Sequence, residues 1–175
     1  VREVGRGGMG VVYEAVHESI GNRVAIKFLH TTLGLEAQQR LMAEARALGR
    51  VDHAGLVRVN DCITSDSGDT CLIMEFVAGQ CLRVQMGRPL ALAKLLRYGR
   101  QLAAALAAAH EKEVIHRDLK PENILLETAA RDYDPIVKLA DFGISIVLDE
   151  SRRRMALVPP SRSEERDGAL ALTMD

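Results

Sequence analysis

The sequence predicts an α+β fold in which antiparallel strands and one helix come first and a more helical part follows. Strand-like apolar runs, joined by glycine and polar turns, fill much of the first 77 residues. A long amphipathic helix is predicted over residues 91–111, and a short strand pair is predicted after it, at 124–126 and 136–139. The 175 residues are enough for one core or two small lobes.

Composition and charge exclude several classes of protein. Hydrophobic residues make up 47% of the chain and charged residues 27%, as in soluble globular proteins. Lys and Arg total 23 against 24 for Asp and Glu, so no basic excess indicates a nucleic-acid partner. The apolar run Leu102–Ala109 is too short to span a bilayer, and no signal peptide opens the chain. Cys62, Cys71 and Cys81 lack zinc-site spacing, which favours free thiols and a cytoplasmic location.

The first motif is a glycine-rich segment near the start of the chain. Gly5, Gly7 and Gly10 match the pattern G-x-G-x-x-G, whose glycines let backbone N–H groups approach phosphates. The same spacing occurs in dinucleotide-binding folds and in flexible hairpins. Because residues 11–16 are typical of a strand and not of a helix, the sequence favours a hairpin with glycines at its tip.

The next strand carries an unusual cation. A turn at residues 20–22 precedes a predicted strand, Arg23–Leu29, in which Lys27 stands among apolar residues. A lysine buried in such a strand is costly unless a partner neutralises it. The alternative is a surface lysine whose ammonium group reaches solvent.

A helix over Glu36–Gly49 supplies the candidate partner. Leu41, Ala45 and Leu48 share one apolar face at i, i+4 and i+7. Glu44 lies beside that face, so we expect its carboxylate to point inward toward Lys27. Glu36 is the competing candidate, at the start of the helix.

A hairpin and a long helix follow. Strands are predicted at residues 56–59 and 71–77, with a polar turn at 65–69 between them. The helix over residues 91–111 is predicted to bury one apolar stripe. Its members are Leu92, Leu95, Leu96, Leu102, Leu106 and Ala109.

The most informative segment is the octet His116–Asn123, which combines an acid, a base, two cations and an amide between apolar flanks. Such flanks predict a polar loop that is both exposed and rigid. Asp118 and Asn123 can point two oxygens into one cavity, one to accept a proton and one to coordinate a cation. The alternative is a charged surface turn. Asp141 follows the last strand and begins an Asp-Phe-Gly sequence, where a carboxylate can reach a metal ion.

The final segment differs in character. Residues 148–175 are polar, charged and proline-bearing, which predicts a disordered loop. The arginines at 152–154 favour a solvated charge run over a docking site for phosphate or acidic substrates.

Together these motifs resemble the catalytic domain of protein kinases of the eukaryotic type. The glycine loop, Val24-Ala25-Ile26-Lys27, the octet and Asp-Phe-Gly occur in the family's order. The Gly-Gly-Met-Gly form of the glycine loop is similar to the bacterial serine/threonine branch, and Lys120-Pro121-Glu122 resembles the serine/threonine version of the octet and not the tyrosine version. The resemblance implies a bilobal fold with an antiparallel β N-lobe and a helix αC. It divides the chain into an N-lobe (1–77), the start of a helical C-lobe (78–147) and a partial activation segment (148–175).

The resemblance also implies an ATP site. Its members would be Gly5, Arg6, Gly7, Gly8, Met9, Gly10, Val12, Ala25, Lys27, Met74, Glu75, Val77, Leu125 and Asp141. Val12, Ala25 and Leu125 would enclose the adenine ring. Glu75 and Val77 would offer backbone hydrogen bonds, and Met74 would be the gatekeeper, although simple core packing explains Met74 equally well.

The catalytic roles follow from the same resemblance. Asp118 would accept the proton of a serine or threonine hydroxyl, and Lys120 would contact the γ-phosphate of ATP. Lys27, held by Glu44, would clamp the α- and β-phosphates. Asn123 and Asp141 would hold two Mg²⁺ ions. A hydrophobic column linking the lobes would consist of Leu48, Val59, His116 and Phe142.

Regulation and partners are implied as well. Arg117 would bind a phosphorylated activation segment, with Thr173 as the preferred phosphosite ahead of Ser161 and Ser163. Expected partners are ATP and protein substrates, and a second kinase copy in autophosphorylation. No A-P-E motif precedes Asp175, so we expect a fragment of a longer kinase, which another segment could anchor to a membrane. An ATP-binding pseudokinase and an inert fragment remain the alternatives.

Overall fold

The computed structural model describes residues 1–8, 10–30, 35–66, 69–87, 89–128 and 135–142. Several predictions fall outside these residues. They concern Met9 of the glycine loop, Gly143, the segment 148–175 and the candidate phosphosites Ser161, Ser163 and Thr173.

The N-terminal part is a five-stranded antiparallel sheet. Its strands are β1 (Arg2–Gly7), β2 (Gly10–Val16), β3 (Arg23–Leu29), β4 (Val59–Thr64) and β5 (Thr70–Glu75), in the spatial order β1-β2-β3-β5-β4. The glycine segment is therefore the tip of the β1–β2 hairpin, as the sequence predicts. A Cβ atom at Gly10 would lie 2.1 Å from the Phe28 carbonyl oxygen on β3, so only glycine allows this close strand contact.

Helix α1 (Leu35–Gly49) packs against this sheet next to β4. Leu41 and Leu48 are its buried residues, so two of the three predicted face positions lie in the core. Leu41 belongs to a cluster inside the N-terminal part, with Ala25, Leu72 and Met74. The helix is thereby fixed over the strand that carries Lys27.

The second part combines a small sheet with helices. It contains β6 (Gly79–Cys81), α2 (Leu82–Gln85), α3 (Leu92–His110), a single 3₁₀ turn (Pro121–Asn123), β7 (Ile124–Glu127) and β8 (Ile136–Leu139). The strand order is β6-β7-β8, and all pairs are antiparallel. The sheet places the octet directly before β7 and Asp141 directly after β8.

One hydrophobic cluster joins the two parts. Leu48 of α1 and Phe142 belong to it together with Ala105 and Ala109 of α3, and Val59 packs against it. The ring of His116 contacts that of Phe142, with centroids 4.5 Å apart. The four residues of the predicted hydrophobic column therefore lie in or beside one continuous core.

The predicted strand at 56–59 is wrong in its position. Strand β4 begins at Val59, and residues 55–57 pair with β8 of the other sheet. The Val57 N–H donates to the Leu139 carbonyl at 3.0 Å, and the Leu139 N–H donates to the Gly55 carbonyl at 2.8 Å. These residues form a backbone connection between the two sheets, which an apolar run cannot reveal.

The predicted buried stripe of the long helix is also partly wrong. Leu92, Leu95 and Leu96 are 69%, 54% and 60% exposed, whereas Tyr98, Ala105 and Ala109 are the buried residues of α3. Tyr98 is the first of them, so only the C-terminal two-thirds of the helix packs against the described residues. The side-chain oxygen of Gln101 accepts a hydrogen bond from the Val137 N–H at 2.9 Å, which holds α3 against β8.

Cys62, Cys71 and Cys81 are free thiols, as predicted, and burial raises the pKa of Cys62 and of Cys71. Within the described ranges, every helix is too short or too polar to cross a membrane.

Candidate active site

The octet is held in place by the buried ring of His116, which is 2% exposed. Nε2 lies 2.8 Å from the Ala140 carbonyl oxygen, and Nδ1 accepts a hydrogen bond from the Asp118 N–H at 3.2 Å. A carbonyl only accepts, so the proton must be on Nε2, and the neutral ring satisfies both contacts. Burial lowers the pKa of His116, which favours this neutral form.

Ala140 ties the octet to the segment that carries Asp141. Its carbonyl accepts from His116, and its N–H donates to the Asn123 carbonyl at 2.9 Å. Both backbone groups of the residue before Asp141 are therefore bonded to the octet. This connection, one side chain–backbone contact and one backbone–backbone contact, fixes Asp141 relative to Asp118.

Asp118 is the centre of a small polar network. Its carboxylate accepts from Lys120 Nζ at 2.6 Å and from Asn123 Nδ2 at 3.1 Å. The same Nδ2 donates to the Asp118 carbonyl at 2.9 Å. The hydrogen bond to Asp118 raises the pKa of Lys120, so this ammonium group stays charged at neutral pH.

Asn123 is oriented by these contacts. The residue is 6% exposed, and both of its Nδ2 contacts are to Asp118. Its Oδ1 makes no hydrogen bond to any residue in the described part of the chain. An oriented amide oxygen of this kind fits Mg²⁺, which prefers oxygen ligands.

Lys27 is buried, with 4% exposure, and its partner is Asp141, at 2.8 Å between Nζ and Oδ2. Asp141 has φ 63°, in the left-handed region that costs a non-glycine residue about 1–3 kcal/mol. Phe142 follows, 3% exposed and packed against His116. The aromatic side chain thus anchors the segment while the carboxylate before it faces Lys27.

The predicted contact between Glu44 and Lys27 is not formed among the described residues. Glu44 instead pairs with Arg117 of the octet, at 3.4 Å between Oε1 and NH1. Arg117 has φ 63°, in the left-handed region that non-glycine residues rarely adopt. Lys27 thus forms its ion pair with Asp141, and Glu44 forms its ion pair with Arg117. Glu36, the competing candidate, pairs with Arg40 at 3.1 Å.

The apolar residues predicted to enclose the adenine ring lie together in the structure, and we call the region that they form the slot. Ala25 and Met74 belong to the N-terminal cluster, and Val12, Val77 and Leu125 pack against it. The Glu75 N–H is bonded to the Arg58 carbonyl, so only its carbonyl remains to meet a ligand. The Val77 N–H and carbonyl have no hydrogen-bond partner among the described residues. A free donor and acceptor beside apolar walls suit a flat heterocycle.

The glycine loop is open on one side. A Cβ atom at Gly5, Gly7 or Gly8 would meet nothing within 4 Å, so packing inside the described chain does not require glycine there. Glycine would be required at these positions if a phosphate group approached the backbone closely. The Arg6 guanidinium pairs with Glu3 at 2.7 Å, and both side chains are exposed.

Sequence reasoning missed two features of the site. The backbone groups of Ala140 carry no side-chain signal, so nothing in the sequence could reveal them. Lys138 is a buried lysine in an apolar strand, paired with Glu75. The signal that indicated Lys27 applies equally to Lys138.

Comparison with known proteins decides the family. A model of the protein kinase domain matches residues 1–161. The chain belongs to the protein kinase family. Among curated relatives it is 44% identical over 151 residues to serine/threonine-protein kinase Pkn1 of Myxococcus xanthus, which covers 85% of this chain and 22% of that protein. Kinase pkn2 of the same organism is 43% identical over 153 residues, covering 85% and 18%.

Solved structures agree with this assignment. The PknI kinase domain of Mycobacterium tuberculosis superposes with a TM-score of 0.71 at 29% identity, over 82% of this kinase chain and 58% of that chain. The predicted kinase-like fold, with an antiparallel sheet followed by the start of a helical lobe, is confirmed. This kinase chain spans about a fifth of the length of the two curated relatives.

Proposed function

We propose that the protein transfers the γ-phosphoryl group of ATP to serine or threonine hydroxyls of protein substrates. The observation that carries this proposal is the double backbone tie at Ala140, which holds the Asp118 network and the Lys27–Asp141 pair in one site. Phosphoryl transfer needs little covalent chemistry from the protein and depends on positioned charges. The site has those charges on rigid elements.

Asp118 is proposed as the group that accepts the substrate proton. Both hydrogen bonds to its carboxylate go to Oδ2, which leaves Oδ1 to accept the proton of a substrate hydroxyl. The ammonium group of Lys120 lies 2.6 Å from the Asp118 carboxylate. A phosphoryl group that approaches Asp118 would therefore also come within reach of Lys120. Its flexible stem and retained charge suit contact with the γ-phosphate.

Mg²⁺ fits two residues of the site. The carboxylate of Asp141 and the oriented Oδ1 of Asn123 would hold two Mg²⁺ ions, together with phosphate oxygens of ATP. The metal would neutralise the charge that develops on the phosphoryl oxygens. Lys27 is then proposed to hold the α- and β-phosphates under the glycine loop of Gly5, Gly7 and Gly10.

The regulatory proposal concerns Arg117. In the structure Arg117 is held by Glu44, so binding a phosphate at Thr173 would require this pair to separate. Glu44 would then be available to Lys27, as the kinase resemblance implies. Both partners are partly exposed, at 39% and 30%, so the contact is weak enough to exchange. The proposed setting is cytoplasmic, with ATP and proteins as partners and a second kinase copy in autophosphorylation.

The proposed function is tested by following the label of γ-labelled ATP into a mixed protein acceptor and identifying the modified residues by acid hydrolysis. We expect label on serine and threonine, none on tyrosine, and strict dependence on Mg²⁺. Nucleotide binding without any transfer would show a pseudokinase and contradict the proposal. Label on tyrosine alone would contradict the assigned specificity.

A further inference from the structure

A second buried lysine lies away from the phosphate site. Lys138 of β8 is 8% exposed, and its Nζ lies 2.5 Å from Glu75 Oε1 and 3.9 Å from Glu127 Oε2. The first distance is that of a short charge-assisted hydrogen bond, whereas the second is too long for one. Glu75 is therefore the partner that Lys138 needs in order to be buried as a cation.

This pair connects the two sheets. Glu75 is the last residue of β5, and Lys138 lies in the β7–β8 hairpin of the other sheet. Lys138 stands opposite Leu125 in the register, so both side chains project from the same face of the hairpin. Leu125 packs against the N-terminal cluster, and the Lys138–Glu75 contact lies beside Leu125.

Glu75 is itself fixed to the N-terminal part. Its N–H donates to the Arg58 carbonyl at 2.9 Å, and its Oε2 accepts from the Arg58 N–H at 3.3 Å. One carboxylate thus joins the Arg58 backbone on one side and Lys138 on the other. Any displacement of β8 relative to β5 must break one of these contacts.

We propose that the Lys138–Glu75 pair is an interlobe brace that sets the width of the nucleotide slot. Met74 precedes Glu75, and Val77, with its free backbone groups, follows two residues later. When Lys138 holds Glu75 against the hairpin, the nearby Val77 backbone is restrained relative to Leu125 of the same hairpin. Lys138 is a positioning residue, and this inference rests on the proposed use of the slot for ATP.

The two ends of the brace differ in burial, and this allows a positioning role to be separated from a merely structural one. The Glu75 side chain is 32% exposed, so its carboxylate can be hydrated when Lys138 is lost. The Lys138 side chain is 10% exposed, so its ammonium group is left buried when Glu75 is lost. Lys138→Met should therefore preserve stability better than Glu75→Gln.

The experiment compares three variants of the full-length kinase by Kd for Mg·ATP, kcat and thermal unfolding. We expect Lys138→Met to raise Kd and KM for ATP about tenfold with kcat changed less than about threefold. Glu75→Gln should raise Kd similarly and lower the unfolding temperature. The double variant should recover the unfolding temperature, because the buried cation is gone, yet keep the raised Kd.

The matched control is Glu127→Gln, which removes one carboxylate charge near Lys138 without touching the short contact. We expect its Kd to stay within about twofold of wild type. The brace is overturned if Lys138→Met binds Mg·ATP as tightly as wild type, or if Kd in the double variant recovers together with stability. A wild-type protein that binds no nucleotide would overturn the proposed function itself, and the brace with it.

Discussion

Asp118→Asn is expected to lower kcat for phosphoryl transfer by about 10²–10⁴-fold, the usual range for loss of a general base, with Kd for Mg·ATP little changed. The substitution keeps the size of the side chain, and an amide oxygen can still accept from Lys120 and Asn123, which lie 2.6 and 3.1 Å away. What is lost is the capacity to take up a proton. The effect should therefore fall on turnover and not on nucleotide binding.

The measurement is steady-state transfer at saturating Mg·ATP, together with Kd from calorimetry. Glu122→Gln is the matched control, since Glu122 belongs to the same loop and, among the residues that the structure describes, its exposed side chain makes only a 3.6 Å ion pair with Arg83. We expect that control to keep wild-type turnover. Asp118→Asn with turnover equal to that of Glu122→Gln would remove Asp118 from the mechanism.

Lys27→Met is expected to lower kcat by about 10²–10³-fold, as for the loss of one preorganised charged donor. Lys27 is 4% exposed, and within the described part of the chain its ammonium group is the only one in contact with Asp141, at 2.8 Å. Methionine fills a similar volume but leaves the carboxylate without this cation. The substitution should remove the proposed contact with the phosphates and also the contact that orients Asp141. We therefore expect kcat to fall further than the affinity for ATP.

Lys112→Met controls for the loss of a positive charge, because Lys112 is exposed near the end of α3. Its kcat and KM should match wild type. If Lys27→Met also turns over at the wild-type rate while remaining folded, the clamp on the phosphates must be a different group.

The first strands were predictable because their signals are local. The glycine spacing and the strand character of residues 11–16 sufficed to predict the hairpin, and Arg23–Leu29 has the predicted bounds. Helix α1 begins one residue earlier than predicted. These elements follow from side-chain periodicity and turn residues, which act over a few positions.

The contacts between distant segments were not predictable in the same way. Glu44 was placed on the correct side of its helix, yet its partner is Arg117, 73 positions along the chain. The choice between Lys27 and Arg117 depends on where Asp141 lies, and no single segment contains that information. The exposed leucines of α3 show the same limit, because periodicity predicts a face but not what covers it.

Lys138 and Lys27 show how one local signal can have two meanings. Both are lysines within apolar strands, and both are buried against a carboxylate. One faces Asp141 at the proposed phosphate site, and the other joins the two sheets through Glu75. Only the partner distinguishes a catalytic role from a positioning role, and the partner comes from the tertiary structure.

We propose that the described residues form one assembled site for Mg·ATP. The most direct test is thermal unfolding of the full-length protein with and without Mg·ATP, compared with Asp141→Asn. At a nucleotide concentration of 100 times Kd, we expect stabilisation of about 2.7 kcal/mol in the wild type, and much less without Mg²⁺ or in Asp141→Asn. A wild-type transition that does not move at millimolar Mg·ATP would contradict the claim.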